Sequence, residues 1–274
     1  MKTNLISLVI TLFVVSSCFA NTKNSNKANL GAKQFKATSL LGDQQTDTLL
    51  NRIEQKVAMA FAKGTIGKTD NDLVALEESL LALNMKKGNS IIVYWYSYAC
   101  YYHSILSMIN KDLKKSENVL DEGLDMLDEV DPKTSEHYAL LALMKSLSMR
   151  FAAGIRAPFI SASVKSNAEK ALELDSLNLR AYYVLGSNDF YTPEQYGGGK
   201  KAEGYFKKSI KMNNQSVKNQ YLPSWGKNLA YELLIRLYIK REQFADAKKC
   251  FQEAIALYPN DYQINQLASK LVNH

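Results

Sequence analysis

The chain has 274 residues, with 34 Lys and Arg against 27 Asp and Glu for a net charge of +7, and 46% of its residues are hydrophobic. The basic excess is mostly Lys scattered along the chain, whereas nucleic-acid binding gathers basic residues on one face and reads bases with Arg, so a nucleic-acid partner is excluded. Three Cys are a poor basis for a disulfide framework.

The first twenty residues are expected to be a signal peptide rather than part of the fold. Lys2 precedes an apolar run, Leu5 to Val15, followed by small residues from Ser16 to Ala20. That order is the order of an export signal. The run falls short of the roughly twenty apolar residues a membrane span requires, and no later stretch approaches that length. Val15-Ser16-Ser17-Cys18 is also similar to a lipobox, with Cys18 as the acylated first residue of the mature chain. Cleavage after Ala20 and lipidation of Cys18 both fit at this point. Removing residues 1–20 takes away only Lys2 and leaves a charge of +6 (7 − 1).

Residues 21–39 are rich in Asn, Lys, Ser, Thr and Gly and have almost nothing to bury, which predicts a flexible linker. The folded part is residues 40–274. Its first helix is read from Leu49, Ile53, Val57 and Phe61, with Lys63-Gly64 as its end. Thr69-Asp70-Asn71-Asp72 caps a second, from Leu73 to Met85, and Gly88 stops it. A third helix carries Tyr94, Trp95, Tyr96, Tyr98, Ala99, Tyr101 and Tyr102, and Leu120 and Gly123 fit the helix after it. Tyr138, Leu141 and Ala142 mark another, and Val164, Ala168 and Ala171 its partner, about ten residues further on than a regular repeat allows. Helix 178–190 leads into a long loop, Thr192 to Gly199, whose three consecutive Gly predict mobility. The last stretch, 261–273, reads as one capping helix with Tyr262, Leu267 and Leu271 inward. Each of the five Pro falls at a predicted boundary.

Two segments repeat. In 228–261 the pattern is Tyr231, Leu234, Tyr238, Ala247, Phe251, Ala254 and Pro259. In 179–214 it is Tyr182, Leu185, Gly186, Ala202 and Phe206, with Ser209 in place of Ala. This spacing resembles the tetratricopeptide (TPR) family, in which about thirty-four residues form two antiparallel helices with small residues where they cross. Ile235 departs from the pattern, standing where Gly is usual. The resemblance implies an all-α fold, an α-solenoid of antiparallel helix pairs with about ten or eleven helices in roughly four divergent units. It also implies a concave groove lined by first helices. By register its candidate residues are Tyr96, Cys100, His103, Tyr183, Ser187, Glu232, Arg236 and Lys240.

No chemistry stands out beside the repeat. The three His are His103, His137 and His274, and the pair Cys100 and His103, one helical turn apart, is half of a structural zinc site at most. Gly197-Gly198-Gly199-Lys200 is not a phosphate loop, since Glu194 stands at the first Gly and Lys201 where Ser or Thr is needed. Asp121-Glu122 and Asp128-Glu129 read as a solvated helix face. Cys100 and Cys250 are expected to be buried and unpaired. No catalytic residue, cofactor or metal is therefore expected. The expectation is an exported scaffold that binds a protein or peptide partner in the cell envelope, at the periplasm or outer membrane or secreted. The alternative is a periplasmic ligand-binding accessory lipoprotein of a transporter.

Overall fold

The computed structural model describes residues 48–152, 154–214, 217 and 219–272. The signal peptide, the linker, the lipidation of Cys18 and His274 lie outside them. The described residues form α-helices and short 3-10 turns, with no strand among them. The α-helices are α1 (Ile53–Gly67), α2 (Asn71–Lys87), α3 (Ser90–Ile109), α4 (Leu113–Asp128), α5 (Ser135–Ser148), α6 (Ala157–Leu174), α7 (Leu179–Tyr191), α8 (Ala202–Lys211), α9 (Lys227–Lys240), α10 (Phe244–Leu257) and α11 (Tyr262–Asn265). They pack as consecutive antiparallel pairs, α1 with α2 through α9 with α10, and each pair packs on the next. The chain is an all-α solenoid.

Local signals set the boundaries. Asn89 caps α3 by accepting from the Ile91 N–H at 2.9 Å, and Asp112 caps α4 by accepting from the Lys115 N–H at 3.0 Å. Thr134 and His137 form a reciprocal cap on α5. Gly88 closes α2 in the left-handed conformation. The predicted stop at Gly64 is not one: α1 continues to Gly67, and Gly64 is an interior residue pressed on Leu106, where a Cβ would lie 2.5 Å from Leu106 Cδ2.

The crossings differ from pair to pair. Between α7 and α8, a Cβ on Gly186 would meet the Phe206 ring at 2.6 Å, and Phe206 is fully buried. Between α3 and α4 the small residue is on the second helix, where Gly123 faces Cys100 and Met144. Between α9 and α10, Ala247, Ala254 and Ile235 are fully buried, while Phe251 is only half-buried. The expected final helix is also different. After α11 the chain tightens into a 3-10 turn at Ala268–Lys270, which sets Ile264, Leu267 and Leu271 inward and leaves Tyr262 49% exposed. The i→i+3 bonds from the Leu267 and Lys270 N–H groups to Ile264 and Leu267 carbonyls bring that about.

Candidate functional site

First helices touch each other in succession, α1 with α3, α3 with α5, α5 with α7 and α7 with α9, whereas second helices do not approach each other as closely. The first helices therefore form the inner, concave layer. One of them, α3, is buried along most of its length, with most of its aromatics toward the concave side and Ser97, His103, Ser104 and Ser107 buried on the rest of its surface.

The concave layer is crossed by the chain itself. The segment Tyr221–Gly226, which leads from α8 into α9, lies over α1, α3 and α7. Trp95 Nε1 donates to the Tyr221 carbonyl at 3.0 Å. Trp225 Nε1 donates to Tyr94 Oη at 2.8 Å, and its ring stacks on Tyr98 at 5.9 Å and meets Tyr183 edge-on at 6.3 Å. The Ser224 N–H and hydroxyl donate to the two Glu54 carboxylate oxygens at 2.6 and 3.0 Å. Burial still pushes the Glu54 carboxyl above its ordinary value, outweighing those bonds. Gly226 has φ 109° and sits against Leu179 and Arg180, a position only glycine fills without strain.

Beneath Trp225 is a buried ion pair. Arg180, fully buried on α7, donates from Nε and Nη2 to Glu136 of α5 at 2.5 and 2.7 Å and from Nη1 to the Trp225 carbonyl at 3.2 Å. Its guanidinium also lies over the Trp225 ring, 5.7 Å from the centroid. Asn178 adds a bond to Glu136 at 3.0 Å. Each charged atom is thus matched, as burial requires.

Beyond the strap the concave layer is a wall of tyrosines. Tyr102 stands between Phe61, Tyr98 and Tyr101, at 5.2, 5.1 and 5.4 Å. Tyr183 and Tyr191 face it from α7. Burial first, then Tyr101, Tyr191, Glu232 and Tyr102, push the Tyr183 phenol well above its ordinary value. Tyr101, Tyr102 and Tyr191 are half-buried rather than sealed. On α9, Glu232 accepts from Arg236 Nε at 2.8 Å, and burial raises the Glu232 carboxyl despite that partner.

The eight groove residues expected from register divide. Tyr183 and Glu232 are buried on α7 and α9, Arg236 is half-buried beside Glu232, and Ser187 is half-buried on the same helix as Tyr183. Lys240 is exposed at the end of α9, ion-paired with Glu194 at 3.0 Å. The three expected on α3 are a correction: they face the outer helices. Tyr96 donates to Glu122 of α4 at 2.5 Å, and Cys100 lies on Gly123. His103 is bound on both ring nitrogens, by Glu77 of α2 and by Asp70 at 3.0 Å. Asp70 also receives Lys115 Nζ. Desolvation lowers the His103 pKa, but the two carboxylates outweigh it and hold the imidazole above its ordinary value. The inward positions are instead Tyr94, Trp95, Tyr98, Tyr101 and Tyr102. The face of small and polar residues, Ser97, Cys100, His103, Ser104 and Ser107, packs on the outer helices rather than lining the groove. Trp225, Glu136, Arg180 and Glu54 were also missed; the one signal for the first was a Trp between Pro223 and Gly226 with no helical pattern around it.

The inserted loop has a definite course. A 3-10 turn spans Glu194–Tyr196, the Gly198 and Gly199 N–H groups donate to the Pro193 and Asp189 carbonyls, and Gly198 packs so tightly on Thr192 that no Cβ fits. Tyr196 is 75% exposed. Cys100 and Cys250 are buried free thiols. His137 is engaged on both ring nitrogens as well, with Thr134 and with the Ser90 carbonyl at 3.0 Å. Among the described residues no group of His, Cys, Asp or Glu could hold a metal ion, and no helix is long and apolar enough to cross a membrane.

No protein-family model matches the chain, and no curated protein matches it. Among solved structures it is similar to the HusA haemophore from Porphyromonas gingivalis, with 21% identity and a TM-score of 0.52 over 73% of this chain and 95% of that one. The likeness is one of fold. It extends over nearly the whole of the haemophore and agrees with the helical solenoid described above.

Proposed function

We propose that this chain is an exported, TPR-like binding scaffold that holds an extended segment of a protein partner in its concave cleft. One observation carries the reading. The concave layer already holds an extended peptide, its own Tyr221–Gly226, by backbone hydrogen bonds and a single aromatic anchor, Trp225. That is the mode by which an aromatic-lined groove takes a peptide, with main-chain bonds for affinity and a buried Trp as the hot spot. The neighbouring half-buried Tyr101, Tyr102 and Tyr191, with Arg236, offer the same aromatic and cationic chemistry. Tyr and Arg are the side chains that most often dominate interface energy. A binding role rather than an enzymatic one is supported by the burial of Cys100, whose thiol is pushed well up, and by the full engagement of His103 and His137. The test is a photo-crosslinking residue in place of Tyr191, in cells that export the protein. Crosslinks to a defined protein are expected there and not from Lys165 on α6. Equal crosslinking at both positions, or none at Tyr191, would sink the reading.

A second reading follows from the fold of the haemophore neighbour. A flat aromatic cargo of porphyrin type would stack on the same tyrosines. Both described His are already bonded at both nitrogens, so they do not fit as iron ligands without breaking internal bonds. A haemin titration distinguishes the readings: a saturable Soret shift that is lost in Tyr101→Ala and Tyr191→Ala favours cargo over peptide.

A further inference from the structure

We infer that the edge of the solenoid carrying the first-to-second-helix turns docks on an anionic membrane surface, led by the tip between α5 and α6. Because the helices alternate in direction, the turns α3–α4, α5–α6 and α7–α8 lie along one edge. Each presents a large apolar side chain to solvent: Leu113 is 61% exposed, Ile155 81%, Phe159 75% and Tyr196 75%. Ile155 sits in the 3-10 turn Gly154–Arg156 and Phe159 in the first turn of α6, so the two project from the same tip.

Charge selects the occupant. Residues 137–168 contain no Asp or Glu but include Lys145, Arg150, Arg156 and Lys165. Lys145 lies 3.8 Å from Asp128 and Lys165 3.6 Å from Glu169, whereas Arg156 is exposed in the turn itself, between Ile155 and Phe159. On the flanking turns Lys111, Lys114, Lys200 and Lys201 are exposed. The acids of those turns are occupied: Asp112 caps α4, Asp189 accepts the Lys201 and Ala202 N–H groups, and Glu194 pairs with Lys240. On the opposite edge the neighbouring α4–α5 and α6–α7 turns are richer in acids, with Asp128, Glu129, Asp131, Glu173 and Asp175 against Lys133, while Lys86 and Lys87 stand at the α2–α3 turn and Lys211 and Lys227 at the α8–α9 turn. That edge exposes Leu174 and Leu177 too, but among acids. A surface that combines protruding Ile and Phe with Arg and Lys is built for a headgroup layer of negative lipids, in which the apolar tips insert and the basic groups stay at the phosphates. The acid-free stretch 137–168 at the α5–α6 tip fixes which part meets the bilayer.

Co-sedimentation of the full chain with vesicles tests this. Every protein carries Cys18→Ser and an identical N-terminus, so that differences report the edge alone. The parent chain should bind vesicles of phosphatidylcholine with roughly one-third phosphatidylglycerol, bind phosphatidylcholine alone far less, and release with salt. Ile155→Glu with Phe159→Glu should abolish the difference between the two vesicles, and Arg156→Gln should weaken anionic binding about fivefold. Thermal midpoints should not move, since these side chains are exposed. In the Phe159→Trp variant, the fluorescence of the introduced indole should be quenched by brominated lipid in the anionic vesicles only. Anionic binding retained by the double Glu variant, or an indole at the tip that brominated lipid leaves unquenched, would overturn the proposal. So would a parent chain that ignores the vesicles but forms a dimer lost in the double variant.

Discussion

The α7–α8 and α9–α10 pairs are written in the same pattern and have been put to different uses. In α9–α10 the helices are joined by a tight turn, a fully buried Ile235 stands where the repeat has Gly, and Phe251 is only half-buried. In α7–α8, Gly186 lets the Phe206 ring reach the backbone and be sealed. Its first helix carries Arg180 into the core and Tyr183 and Tyr191 into the cleft, its turn is extended, and the connection that follows it returns over the concave face. The pair with the cleaner repeat contributes the Glu232–Arg236 ion pair on its first helix. The pair that departs from it supplies the buried ion pair, part of the tyrosine wall and the anchorage of the strap. Departures from a repeat mark where a solenoid does something other than continue.

The comparison can be broken most severely at the ion pair. Glu136→Met leaves Arg180 buried without its counter-charge and should cost about 3–5 kcal/mol by urea denaturation. Adding Arg180→Met should restore much of that loss, because the charge itself is gone. If the single variant is as stable as the parent, the pair is not buried in solution. Next is the crossing. Phe206→Ala should cost about 3–5 kcal/mol, and Phe251→Ala about 1–2 kcal/mol, since the second ring gives up far less burial. Equal losses would show that Ile235 has not displaced Phe251.

A smaller effect should appear in pH dependence. The His103 pKa is raised from 6.5, so the stability it contributes is complete below about pH 6.5 and fades as pH rises through the higher folded value. Asp70, lowered from 3.8, contributes stability above that value that is lost on acidification. Burial acts on Asp70 in the opposite sense, but Lys115 and His103 outweigh it. Glu77 of the same cluster is raised by burial beyond what His103 offsets. The thermal midpoint of the parent chain should therefore fall as pH rises above neutrality, and that slope should flatten in His103→Gln. The smallest effect is expected at Tyr196→Ala, within about 0.5 kcal/mol, because the ring is exposed. A larger loss would make the inserted loop part of the core after all.

Helix boundaries were legible only in part: Gly88 and the Pro positions marked ends, whereas the caps that the structure uses, Asn89, Asp112, Thr134 and Asn178, were not singled out although each acts within three residues of itself. The helix pairing was legible from the small residues and aromatics of 179–214 and 228–261. What failed was register on α3, whose small and polar face, Ser97, His103, Ser104 and Ser107, is buried against the outer helices while most of its aromatics face inward. The end of α1 failed because Gly64 serves packing on Leu106 rather than a turn. The strap was invisible, since the segment has no periodicity and its partners lie 126 to 170 positions earlier. A residue such as Arg180 reads as surface until its partner Glu136 is known.

The strap changes how the whole chain must come apart. In a plain array each unit touches only its neighbours, so the ends can fray and the middle persist. Here Ser224 is fastened to Glu54, and Tyr221 and Trp225 to Trp95 and Tyr94. The first helix and the last third of the chain therefore hold each other. Cutting the chain before residue 219 would strip the cover from α3, and deleting α1 would loosen the entry into α9. Melting should then be a single all-or-none transition instead of a staircase, and refolding slow for a helical protein because so much waits on distant contacts.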